Sequence, residues 1–200
     1  MGCECSDQST DTDEQRRTLK VALVLNAIMF VIGLIAGLYA QSIGLLADAI
    51  DMLADASAYA IALLAIGRSS TFKRDAAKLS GGLLLVLGLG VLSEIIIHAL
   101  HGSKPVGTVI MIIASISLLV NVIVLRKLGK FRGGQVHLNA AWIFTRADVV
   151  ANISIIVSGA IVSLTETRYA DLVIGFAVAI YVIKEALEIL KSSQMEIVNG

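Results

Sequence analysis

Six apolar runs, each long enough to cross a bilayer, constrain this chain more than any other feature. They cover residues 19–40, 45–67, 79–100, 106–125, 136–164 and 169–190. A run of at least about 18 apolar residues is a candidate spanning helix, because a helix satisfies its own backbone hydrogen bonds where water is absent. The single proline, Pro105, agrees with long unbroken helices. Charged residues are only 16% of the chain, against roughly 25% in an ordinary soluble domain. The expected fold is an all-α membrane protein, a bundle of six transmembrane helices.

Six spans place both termini on one side, and the cations say which. Arg16, Arg17 and Lys20 precede the first run, Arg68, Lys73, Arg74 and Lys78 join the second to the third, and Arg126, Lys127, Lys130 and Arg132 join the fourth to the fifth. Lys191 follows the last run, while the opposite face carries only Lys104 and Arg168. By the positive-inside rule the basic face, with both termini, is cytoplasmic. Residues 1–18 read as a disordered acidic tail, 19–191 as the membrane domain and 192–200 as a short cytoplasmic tail. No signal peptide pattern precedes the first run. A formal net charge of zero gives no case for nucleic acid as a partner. Cys3 and Cys5 make no disulfide framework. They read as a Cys-x-Cys for capturing soft metal, as part of an M-G-x-x-x-S acylation pattern, or as a tail without an essential role.

The second run is the anomaly: it holds Asp48, Asp51 and Asp55. A charged side chain near the bilayer centre costs roughly 3 kcal/mol or more, so an intramembrane carboxylate is by default functional. At about 100° per residue all three project within about 60° of one another, and Tyr59 extends the stripe. In the fifth run Asp148 and Asn152, four residues apart, also share a face, while Arg146 points about 200° away from Asp148. Counting at about 1.5 Å per residue puts Asp51, Asp55, Asp148 and Asn152 near mid-depth. Glu94 and His98 lie toward the outer end of the third run, as accessory or proton-relay groups or as snorkelling side chains. Asn26 and Asn121 read as interhelical hydrogen-bond donors. Converging oxygens at the centre of a bundle suit a divalent cation, which relieves the mutual repulsion of the carboxylates and displaces their protons. The competing explanation is a set of protonated aspartates that only hold helices together. Gly33 and Gly37 form a GxxxG that permits close helix packing.

The stretch SIGLLADAIDMLADASAYAIALLA, residues 42–65, resembles the second-helix signature S-x-x-LLAD-x-x-(H/D)-x-x-x-D of the cation diffusion facilitator family of divalent-metal transporters. The resemblance implies six helices with cytoplasmic ends. It also implies metal/proton antiport, a homodimer, and ligand positions at Asp51 and Asp55 with Asp48 as the acidic residue before them. Asn26, Gly37, Asn121 and Glu94 also fall on family-like positions. Three departures stand out. The family's fifth-helix H-x-x-x-D has Phe144 in place of histidine when its aspartate is aligned with Asp148; Gly33 occupies an acidic position; and the chain resembles the branch without a C-terminal cytoplasmic domain.

The function expected is export of a divalent metal from the cytoplasm by alternating access, without enzymatic activity. Asp51, Asp55 and Asp148 are the expected metal ligands, with Asn152 as a fourth, weaker oxygen donor and Asp48 as a relay. An all-oxygen site suits manganese or iron(II), whereas the family resemblance points to zinc, cobalt or cadmium, and zinc is placed first. The metal is cargo, and no resident cofactor is expected. The alternatives are a proton-coupled exporter of small molecules or an ion channel. Aromatic residues at 5%, with Trp142 the only tryptophan, supply little for stacking an organic substrate. A phosphotransferase would need a D-G-x-x-A-R segment, which the sequence lacks.

Overall fold

The computed structural model describes residues 4–64, 70–130 and 136–195, with side-chain surroundings for 13–64, 75–130 and 145–191. Among the described residues there are six helices and no strand. They are α1 (Glu4–Ala40), α2 (Ile43–Leu64), α3 (Ser70–His101), α4 (Gly107–Gly129), α5 (Val136–Thr165) and α6 (Tyr169–Met195). Over the described residues each predicted run coincides with its own helix to within a residue, and several helices overrun it. The largest difference is at the start. α1 begins at Glu4, so helix continues over residues expected to be disordered. Nothing between Cys3 and Gly33 is glycine or proline, and adding a residue to an existing helix is far cheaper than starting one. Acidic residues crowd the N-terminal turns, where the helix dipole favours them, and Glu14 pairs at 3.2 Å with Lys130, the residue just past α4. Likewise α6 runs on to Met195, through part of the expected tail. Cys3 and the side chain of Cys5 lie outside the described residues, as do the side chains of His137, Trp142 and Phe144.

Helix α2 sits in the middle. It touches all five other helices, while α1, α4, α5, α6 and α3 follow one another around it, each against the next. Four helices (α1, α3, α4 and α5) carry segments long and apolar enough to cross a membrane by length and composition. α2 and α6 fall short of that measure because of their charges: three aspartates in α2, and Asp171, Lys184, Glu185 and Glu188 in α6. The surrounding helices shield α2 and turn a belt of Val, Ile and Leu outward, such as Val24, Ile28, Val31, Ile35 and Leu38 on α1. Lipid is as apolar as leucine, so helices associate in a bilayer through close packing rather than hydrophobic exclusion. The GxxxG of α1 does this against α2: a Cβ on Gly33 would stand 3.2 Å from that of Ala49, and one on Gly37 would meet Leu46 at 2.9 Å.

The outer end of α2 is held by a set of short contacts. The α1–α2 turn closes with Ser42 N–H donating to the carbonyl of Gly37 at 3.0 Å and Gln41 N–H to that of Leu38 at 3.3 Å. This is the helix stop built on a left-handed residue, here Gln41 at φ 50°. Gln41 is held there in part by its side chain, whose Oε1 accepts from Lys104 N–H at 3.0 Å. Ser42 then caps α2, its Oγ accepting from Leu45 N–H at 3.2 Å. Asp171, in the first turn of α6, accepts from Ile43 N–H at 2.7 Å, Gly44 N–H at 3.2 Å and Ser42 Oγ at 2.6 Å. The first free N–H groups of α2 are thus satisfied by a carboxylate from another helix, and the positive end of the helix dipole faces it.

Removing this cap should weaken the bundle. Asp171→Ala leaves buried N–H donors without partners, a loss of about 1–3 kcal/mol, read as a lower unfolding midpoint of the purified protein in detergent. A midpoint equal to wild type would show that the contact contributes nothing to stability.

Candidate functional site

The polar residues of α2 meet those of α5 and α6 in two tiers. Because α2 and α5 run antiparallel, a step toward the basic face along α2 matches a step backward in number along α5. Asp48 therefore faces Asn152, and Asp51 faces Asp148.

In the outer tier the carboxylate of Asp48 accepts from Asn152 Nδ2 at 2.7 Å and from Ser117 Oγ of α4 at 2.9 Å. All three side chains are buried. This differs from the pairing expected from depth alone, which set Asn152 beside Asp51 and Asp55. Asn152 lies one turn outward of Asp148, as Asp48 does of Asp51, so its amide reaches Asp48 first. Its carbonyl oxygen Oδ1 is buried without a hydrogen-bond partner.

In the inner tier Asp51, 5% exposed, lies at hydrogen-bonding range of Asp148 and of Glu185 from α6. Asp148 is 3% exposed, and its Oδ2 has no partner. Asp55 stands one turn further toward the basic face, half-buried and in electrostatic contact with Asp51, Asp148 and Glu185. Tyr59 and Thr145 bridge α2 and α5 through their hydroxyls at 3.2 Å. A cavity of about 410 Å³ lies on the basic-face side of this tier, lined by Asp55, Glu185, Glu188, Ala58, Ile61 and Ala77. Among the described residues no three carboxyl, imidazole or thiol groups converge closely enough to enclose an ion. Coordination would require the carboxylates to turn from one another toward a shared centre. Acids packed this closely need either shared protons or a cation between them.

Glu94 and His98 are not brought to either tier. They face each other at 3.8 Å on α3, Glu94 half exposed, and His98 lies near Asp171 at the outer end of α6. Arg146 is exposed. Asn26 donates to the Ala22 carbonyl of its own helix at 2.9 Å, and among the described residues not to a neighbouring helix. Asn121 is buried, with its Oδ1 unpartnered.

Two residues escaped the sequence reading. Glu185 sits among Lys184, Glu188 and Lys191 near the end of its run, where charges ordinarily mark the interface. The detectable signal was Tyr181 one turn before it, a hydroxyl within reach on the same face. Asp171 lies beside a loop and looks interfacial, and only the fold shows that it caps another helix.

The bundle has the build of a membrane transport domain: a central helix rich in carboxylates, a lipid-facing belt, and a cavity leading to buried acids from one side. Residues 19–198 match the family model described as the cation efflux transmembrane domain, and the chain belongs to that family. The match agrees with the cation diffusion facilitator resemblance carried by residues 42–65. The chain is 26% identical over 196 residues to the metal cation efflux system protein CzcD of Cupriavidus metallidurans strain CH34, and equally to the cation efflux system protein CzcD of an Alcaligenes species, strain CT14. Each alignment covers 92% of this chain and 62% of the relative, so the chain spans about six-tenths of the length of these relatives. The protein is an integral, multi-pass membrane protein.

The outer tier makes a separable prediction. Asn152→Ala strips Asp48 of a buried donor and should cost about 1–3 kcal/mol. A double-mutant cycle with Asp48→Ala should return a coupling energy of roughly 0.5–3 kcal/mol from unfolding midpoints; strict additivity would rule out the contact.

Proposed function

We propose that this chain exports a divalent metal cation from the cytoplasm in exchange for protons, and that Asp51, Asp55 and Asp148 bind the cation. The observation that carries the reading is the meeting of acids from α2 and α5 beside a cavity lined by Asp55 on the basic-face side. Asn152 contributes its unpartnered Oδ1 as a weaker oxygen donor, while its amide stays on Asp48. Asp48, in the outer tier, relays protons between the site and the outer face.

The chemistry follows from competition for the same oxygens. With the cavity open to the basic face, metal enters and displaces protons from the carboxylates. Once the site opens outward, protons arriving from outside displace the metal. The outer end of α2 is latched to α6 by Asp171, so outward opening requires that end to separate or to move as a unit. Zinc heads the candidate metals, with cobalt, cadmium, manganese and iron(II) behind it. The matched family model and both relatives are named for cation efflux, which supports this direction of transport.

In proteoliposomes, Asp51→Ala or Asp55→Ala should abolish metal-driven proton movement, read with a pH-sensitive dye. Unchanged transport in both variants would refute the site. Binding should also weaken as pH falls, since each displaced proton contributes up to about tenfold in affinity per pH unit while the ligand is protonated. Affinity measured between neutral and mildly acidic pH must therefore decrease with acidification, and a flat profile would exclude proton competition. A cation that binds only the folded bundle stabilises it by mass action, about 2.7 kcal/mol at a hundredfold excess over Kd. A thermal screen with zinc, cobalt, cadmium, manganese and iron(II) should raise the unfolding midpoint for the transported metals. No response to any of them would favour a small-molecule exporter.

A further inference from the structure

We infer that Glu185 of α6 is a direct ligand of the transported cation, completing from a third helix the site that α2 and α5 begin. The inference rests on the reading of Asp51, Asp55 and Asp148 as a cation site. Four observations support it. Glu185 lies at hydrogen-bonding range of Asp51. Tyr181, one turn earlier on α6, donates its hydroxyl to Glu185 Oε1 at 3.3 Å and holds the side chain in place. Glu185 lines the same cavity as Asp55, so a cation arriving from the basic face passes it on the way to Asp51. Helical side chains also lean toward the N-terminus of their helix, which on α6 carries the Glu185 carboxylate outward, toward the level of Asp51.

A cluster of acids alone would not make a site. Here the deepest member points to a missing partner: Asp148, 3% exposed, has a carboxylate oxygen that receives no hydrogen bond from an N–H or hydroxyl among the described residues. Among the described residues, the groups that bear on Asp51 are Glu185, Asp55, Asp48 and Asp148, all of them acidic. The fifth helix has Phe144 where the resembled family carries a histidine ligand. A carboxylate from α6 supplies a fourth strong donor from a different direction and keeps the site all-oxygen. That donor set suits manganese and iron(II) as well as zinc. The opposing possibility is that Glu185 only ties α6 to α2 through its contact with Asp51.

The two roles separate experimentally. Glu185→Gln keeps hydrogen-bonding capacity and size but loses the anionic oxygen. In the purified full chain its affinity for Mn²⁺ and Zn²⁺, titrated against a competing indicator, should fall at least about tenfold, the least expected when even an indirect metal partner is lost. Wild-type affinity would overturn the inference. A second variant gives a readout that a structural tie would not produce. With Cys3 and Cys5 replaced by serine, Glu185→Cys should show a thiolate-to-cadmium charge-transfer band on adding Cd²⁺. That band should vanish when Asp51→Ala is added. No band, or a band indifferent to Asp51→Ala, would overturn the inference even if Glu185→Gln failed to fold. Loss of binding in Asp51→Ala with full binding in Glu185→Gln would reject Glu185 alone. Full binding in Asp51→Ala would reject the underlying site.

Discussion

Three carboxylates on one bilayer helix are tolerable only if the face that carries them is kept from lipid, and the rest of the architecture answers this demand. Charge at the centre of a bilayer is costly, whereas charge inside a bundle can find partners. Helix α2 therefore takes the central place, touched by all five others. Those five accept the opposite duty and present apolar side chains outward. Small residues at the α1–α2 contact let the backbones approach, which matters where dispersion and hydrogen bonding, not hydrophobic exclusion, hold helices together.

Within that arrangement the polar groups divide by depth. The outer end of α2 is saturated: Ser42 and Asp171 take its free N–H groups, and Asp48 is held by Ser117 and Asn152. The inner half is under-satisfied, with acids facing acids and an orphan oxygen on Asp148. That contrast is a chemical reason for proposing cation binding among the inner acids, with the unpartnered Oδ1 of Asn152 left over from the outer tier.

Much of this was legible beforehand. Six apolar runs became six helices, and the helical repeat alone put Asp48, Asp51 and Asp55 on one face. The depth count brought α2 and α5 together near Asp148. It erred by one turn for Asn152, because a rise per residue fixes height only when the start of each helix is known, and those starts shift by several residues. Residues 4–18 read as a disordered tail, and the structure gives helix from Glu4 onward. Polarity argues against a core, but it does not stop a helix already nucleated downstream from growing through residues that contain no breaker. Glu94 and His98 looked like candidates because they are ionisable within a run; packing of α3 against α6 leaves His98 near Asp171 and Glu94 half exposed beside it, away from both tiers.

The amino-acid order by itself determined that this is a helical membrane protein, which residues of α2 share a face, and that the basic face is one side of it. Those properties depend on local chemistry: backbone groups must be satisfied within a span, and side chains repeat at about 3.6 residues per turn. Only the tertiary structure decided that α2 is central, that Asp171 of α6 caps it, that Asn152 belongs to Asp48, and that Glu185 reaches the inner acids. Each of these joins residues far apart in the chain. They depend on the rotation and relative height of whole helices, which packing sets and no local pattern records.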